Sequence, residues 1–175
     1  MCDTGYSVKR LVEDLRELKG RGEPEAALLE AARDRVKSLL LMKHNWLRSS
    51  MCKPGIHQLH EEADHSLAIY VVTWEPGEET TPHNHGTWTI IAGLDGWETQ
   101  HRWKLEPRQI PNVVVRESSQ RIDTATIIAM DSDAIHSVHN DSGALSVTLN
   151  VYGMNPDFTE WRRFVPAAQA TPPPR

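Results

Sequence analysis

Residues 77–96 read G-E-E-T-T-P-H-N-H-G-T-W-T-I-I-A-G-L-D-G. Two histidines, His83 and His85, stand one residue apart after the Pro82 turn and at the start of an apolar run. Side chains at i and i+2 of a β-strand point the same way, so both imidazoles are expected to face one cavity and hold one metal ion. No cysteine or carboxylate stands beside them. A third ligand must come from elsewhere in the chain.

Upstream, Ser7 is a plausible N-cap, and Val8, Leu11, Leu15 and Leu18 recur at helical spacing until Gly20 and Gly22. A second helix is expected from Pro24 to about Met42, its apolar face formed by Leu28, Leu29, Ala32, Val36, Leu39 and Leu40. A short third helical piece is expected over 44–51. Residues 1–53 are thus expected to form a helical cover over a core built by the rest of the chain.

From Pro54 the pattern becomes β. LAIYVVTW at 67–74 and WTIIAGL at 88–94 are β-branched and aromatic. Asp95-Gly96 is a strong hairpin signal, from which 97–103 is expected to return antiparallel. Short strands are further expected over 113–115, 126–130, 135–139 and 144–152, with turn residues between them and no helices. That order predicts a mainly β, antiparallel jelly-roll barrel over 54–166, preceded by two or three helices. The Pro-rich end, 167–175, reads as a disordered tail.

The 175 residues carry a formal charge of -5 with acids and bases mixed, and 39% are hydrophobic. This argues for a globular chain and against nucleic acid or an anionic membrane as a partner. No apolar run approaches the length of a membrane span, and MCDTGYSVKR lacks a signal-peptide core. Cys2 and Cys52 make no disulfide framework, so a reducing cytoplasm is expected, with the protein a monomer or weak homo-oligomer.

Of nine histidines, His44, His60 and His65 fall in expected helix or loop and His101 on an amphipathic strand, all ordinary settings. His83 and His85 differ. Their window fits G-x5-H-x-H-x3-E-x6-G, the first motif of cupin barrels, at every position but one: Thr89 stands where that motif has glutamate. Downstream, His136-Ser-Val-His-Asn140 fits the H-x3-N of the second motif. His139 falls on the opposite face from His136 on one strand. Three neutral imidazoles without a carboxylate suit Fe, Zn, Cu or Ni and leave open positions on the ion.

Over about residues 7–158 the chain resembles the cysteine dioxygenase family of cupin thiol dioxygenases, and most of all its bacterial 3-mercaptopropionate dioxygenase-like branch. The stretches that carry this are WEPGEETTPHNHGTW (74–88), GLDG (93–96), AIHSVHN (134–140) and TLNVYG (148–153). The resemblance implies a double-stranded β-helix and Fe(II) held by His83, His85 and His136. It implies a small-molecule thiol and O2 as substrates and a sulfinate as product. The family's outer triad, Ser-x-His-x-Tyr, here reads Thr148-x-Asn150-x-Tyr152. Tyr152 keeps its phenol, whereas Asn150 cannot titrate as histidine does. Thr89 leaves no cysteine for a cross-link to that tyrosine.

The family's carboxylate-binding position falls on Gln58 or His57, with Arg102, Arg162 and Arg163 as possible replacements. Trp88 either covers the pocket or belongs to the core. Two alternatives stay open. One is a three-histidine iron dioxygenase that cleaves a C–C bond of a chelating oxygen substrate, β-diketone-like. The other is a non-catalytic, small-molecule-binding cupin.

Overall fold

The computed structural model describes residues 5–107 and 110–170. Two helices come first, α1 (Val8–Gly20) and α2 (Glu25–Leu40). The Ser7 hydroxyl caps α1 by accepting from the Arg10 amide at 3.2 Å, and Pro24 occupies the N-cap of α2 rather than its first turn. The expected third piece divides into α3 (Lys43–Trp46) and a 3-10 turn over Ser49–Cys52.

Nine strands come after them: β1 (Gly55–Glu61), β2 (Ala68–Trp74), β3 (Thr89–Asp95), β4 (Trp97–Leu105), β5 (Val113–Asp123), β6 (Ile127–Met130), β7 (Ile135–His139), β8 (Ser146–Tyr152) and β9 (Val165–Pro166). They form a five-stranded sheet in the order β1-β2-β8-β3-β6 and a four-stranded sheet in the order β7-β4-β5-β9. Every pairing is antiparallel except β5 with β9. The two sheets make the double-stranded β-helix of the cupin fold, mainly β, with the helices preceding the strands.

The register sorts the five-stranded sheet into two faces. Ile69, Val71, Ile90, Ala92, Leu149 and Val151 alternate onto one face, where they join Leu11, Leu15, Val36 and Leu39 in a single buried cluster. The alternate positions, Tyr70, Thr89, Ile91, Thr148, Asn150 and Tyr152, share the other face, in aligned cross-strand pairs such as Tyr70–Asn150 and Asn150–Ile91. The helices therefore cover one side and the barrel interior lies on the other. Lys19 Nζ ties α1 to the barrel through the carbonyls of Ser66 and, at 2.9 Å, Gly153.

Several expectations need correction. Gly55–Glu61 is a strand, so His60 lies on β1 and not in helix or loop; the segment's mixed polarity and a bulge between Gln58 and His60 hid it. β5 extends to Asp123 because its polar stretch Arg116–Arg121 faces largely outward on an exposed sheet. Asp95-Gly96 does not close a hairpin. Asp95 still pairs with Val147 on β8, while Trp97 already pairs with Asp123 on β5, so the turn carries the chain from one sheet to the other. Glycine is needed at this corner: Gly96 has φ +63° and a Cβ there would stand 2.2 Å from the Leu145 carbonyl oxygen, while one on Gly93 would stand 2.0 Å from that of Asp123. At the C-terminal end, Ala167–Gln169 form a 3-10 turn, and 171–175 of the expected tail lie outside the described residues.

Candidate metal centre

His83 and His85 precede β3 rather than lying on it; both sit in an extended segment that is pinned from three sides. His83 exchanges two backbone hydrogen bonds of 2.8 Å with His136 on β7, which sets the two side chains next to each other. Between the histidines, Asn84 turns away and accepts from the Arg162 amide at 2.7 Å, so its neighbours face the barrel together. The Thr159 hydroxyl donates to the His85 carbonyl at 2.5 Å.

The three imidazoles converge. Their ring centroids lie 4.8 Å (83–85), 4.5 Å (83–136) and 4.9 Å (85–136) apart. Among the described residues they form the one group of three or more His, Cys, Asp or Glu side chains whose ligand atoms cluster, all within 4.8 Å of one another. His85 Nε2 and His136 Nε2 stand 2.9 Å apart. Two imidazole nitrogens in adjacent positions on an ion at the ~2.0–2.1 Å of histidine ligation would be separated by roughly 3 Å. The spacing fits a shared ion.

The proton positions fit as well. His136 Nδ1 lies 2.8 Å from Gln100 Oε1, and His83 Nδ1 lies 2.8 Å from the Thr81 carbonyl. Both partners are oxygens that only accept, so each Nδ1 carries the proton and each Nε2 presents a lone pair. Burial holds all three rings neutral. It lowers His83, takes His85 down to about 3 with His83 adding to the effect, and takes His136 well below its ordinary value. A set of neutral imidazoles is the form that binds a cation.

Behind His136 lies a polar relay that the sequence did not disclose. Gln100 donates from Nε2 to Glu98 Oε1 at 2.8 Å, and Ser146 donates to Glu98 Oε2 at 2.9 Å. Glu98 and Gln100 are fully buried, and burial raises the Glu98 carboxyl. Alternation along Trp97–Trp103 marks Glu98, Gln100 and Arg102 as one face, but nothing local tells that this polar face is the inward one.

Thr148, Asn150 and Tyr152 lie side by side on the inward face of β8. Asn150 Nδ2 donates to Thr148 Oγ1 at 3.0 Å, and the Tyr152 hydroxyl approaches Asn150 Oδ1 at 3.5 Å, a long and weak contact. The Tyr152 ring lies 5.0 Å from that of His85. Burial raises the Tyr152 pKa, so the phenol keeps its proton at neutral pH. Thr89, at the glutamate position of the motif, is buried with its hydroxyl directed to the Thr87 carbonyl.

In front of His83 and His85 opens a cavity of about 580 Å3, walled by Ile56, Glu79, Thr80, Thr81, Pro156, Asp157, Trp161 and Arg163. Arg163 is the one arginine on this wall, which separates it from Arg162 and Arg102. Gln58 shares the inward face of the sheet with Tyr70 but is exposed and does not border the cavity; its strand contributes Ile56 instead. The substrate-binding reading of His57 fails on orientation. It lies on the opposite face from Gln58 and its Nε2 meets the Lys53 carbonyl at 2.7 Å. Trp88 belongs to the core: it alternates with Ile90 and Ala92 toward the helices and is buried in their cluster, away from the histidines.

No family model matches the chain. Among solved structures it is similar to an uncharacterized conserved protein with a double-stranded β-helix domain from Klebsiella pneumoniae. The identity is 14% over 69% of this chain and 87% of that one, with a TM-score of 0.49. It is also similar to a cupin family protein from Methanocaldococcus jannaschii, at 12% identity over 63% of this chain and 89% of that one, TM-score 0.47. A third is an oxalate oxidase, at 15% identity over 57% of this chain and 46% of that one, TM-score 0.44. No helix among the described residues is long and apolar enough to cross a membrane. What the strand order and side chains establish is a cupin fold with a three-histidine cluster able to hold a metal ion.

Proposed function

We propose that the protein is an Fe(II)-dependent dioxygenase that adds both atoms of O2 to the sulfur of a small thiol, most simply a thiol carboxylic acid such as 3-mercaptopropionate or cysteine. One observation carries this reading: three neutral, converging imidazoles with no carboxylate among them, beside a protonated phenol. The reaction R–SH + O2 → R–SO2H balances without an external reductant. Sulfur gives up four electrons, the dioxygen takes them, and the thiol proton ends on the sulfinate.

Fe(II), when bound, would supply a redox-active centre with open coordination positions for substrate and dioxygen. The chain supplies the rest. His83, His85 and His136 would hold the ion, and the cavity borders His83 and His85. Tyr152 turns its one hydroxyl proton from the long contact with Asn150 Oδ1 to donate toward the reacting oxygens, and Asn150 cannot take that proton. Arg163, on the cavity wall, offers a guanidinium fork to the substrate's carboxylate. Ile56, Pro156 and Trp161 give the alkyl part an apolar surface.

The test is aerobic incubation of the iron-loaded protein with a panel of thiols, read by mass spectrometry. The expected result is a product heavier by two oxygens from a thiol acid, with matching O2 uptake. An inert thiol panel, with cleavage of a β-diketone instead, would replace the substrate class; Asn150, unable to titrate in the triad position, is the observation behind that second reading. Absence of stoichiometric iron, together with ligand binding unchanged in His136→Ala, would make the protein a binding module.

A further inference from the structure

A second cavity, of about 380 Å3, lies on the far side of Gln100 from the metal cluster, between β4 and β5 of one sheet and edge strand β6 of the other, beside α2. Its polar wall is Arg33, Gln100, Arg102 and Gln120, its apolar wall includes Ile128 and Met130, and among the described residues no acid lines it. Arg102 Nη1 is fully buried and has no hydrogen-bond partner. Neither the Arg102 nor the Arg33 guanidinium has an ion-pair partner among the described residues. The nearby Glu98 carboxylate is already engaged by Gln100 and Ser146.

A guanidinium keeps its charge at any physiological pH, so two arginines without acidic partners make this cavity receptive to an anion. We propose that this cavity is a second, separate binding site that takes a small organic monocarboxylate, its carboxylate held by Arg102 with Arg33 at the mouth and its alkyl part against Ile128 and Met130. The fork of Arg102 matches a carboxylate's two oxygens, and the apolar wall favours an organic acid over inorganic phosphate. The occupant also touches the metal centre indirectly. Gln100 lines this cavity while its Oε1 accepts a hydrogen bond from His136 Nδ1, so a bound acid is positioned to alter how firmly that ligand is aimed.

This second site is independent of thiol oxidation, and its test is read without turnover. n-Butyrate, n-butyramide and inorganic phosphate are titrated by calorimetry into the full chain carrying Arg163→Met, which removes the carboxylate partner of the metal-side cavity, metal-free and metal-loaded. Butyrate is expected to bind one to one, and butyramide and phosphate much more weakly. On that background Arg102→Met should weaken butyrate more than 10-fold and Arg33→Met a few-fold. Arg102→Lys keeps the charge without the fork and should fall between, which guards against a folding defect in the methionine variant. Equal binding of butyramide, no saturable butyrate binding on the Arg163→Met background, or binding there unchanged by Arg102→Met would each overturn the proposal.

Discussion

Gln100 is the residue on which the metal centre turns without being a ligand. Its carbonyl oxygen fixes the tautomer of His136, and its amide is fixed in turn by Glu98. Gln100→Leu is similar in size but removes that acceptor, and a partner of this kind is typically worth 10–100-fold in metal affinity. Competition against a chromophoric chelator should show a loss of this order with the far-UV spectrum unchanged; full retention would mean that Gln100 only fills space. Tyr152 acts at the same scale. On the proposed dioxygenase reading, its buried, protonated phenol beside His85 predicts that Tyr152→Phe binds metal like wild type and loses on the order of 10²-fold in turnover. Iron content and steady-state rates, measured together, separate this from simple damage to the site.

At the scale of elements, β4 places a carboxyl and an amide, Glu98 and Gln100, on its inward face. Burial raises the Glu98 carboxyl above its ordinary value, so the fold favours the neutral acid. The stability that form provides is fully present below the unfolded pKa and is lost as pH rises toward the folded one, at up to roughly 1.4 kcal/mol per pH unit. Glu98→Gln keeps an acceptor for Gln100 and cannot ionise. Its thermal midpoint should match wild type near pH 4 and exceed it increasingly toward pH 7; a difference that does not change with pH would show that the carboxylate is compensated in place. The corner between β3 and β4 is a second element-scale test. Gly96→Ala adds a Cβ in the left-handed region against the Leu145 carbonyl and should cost about 1–3 kcal/mol in denaturant unfolding. An unaffected midpoint would mean that the strands can shift to accept it.

For the whole molecule, helices and barrel share one buried cluster. Leu39, fully buried on α2, packs in the same cluster as Ile69, Ile90 and Leu149 of the five-stranded sheet. Leu39→Ala should therefore cost about 2–5 kcal/mol and lower the midpoint seen by tryptophan fluorescence and by far-UV circular dichroism together. Two separated transitions would show that the helices melt on their own.

The sequence by itself determined the parts whose signal is local. Helical spacing placed Leu11, Leu15 and Leu39 on faces that turn out buried, β-branched runs marked β2, β3 and β8, and motif spacing singled out His83, His85 and His136. The absence of a glutamate at Thr89 was legible there too, and the structure agrees that the clustered ligand atoms are all imidazole nitrogens. Only the tertiary structure decided what depends on contacts distant in sequence. The same Asp95-Gly96 turn serves a hairpin or a change of sheet, and the choice rests on Val147 and Asp123 as partners of the flanking residues. Likewise the alternation of β4 divides its side chains into two sets without saying which faces inward. That is settled by burial against β8 and by the groups waiting there: Ser146 for Glu98, His136 for Gln100, and for Arg102 a cavity with no acid in it.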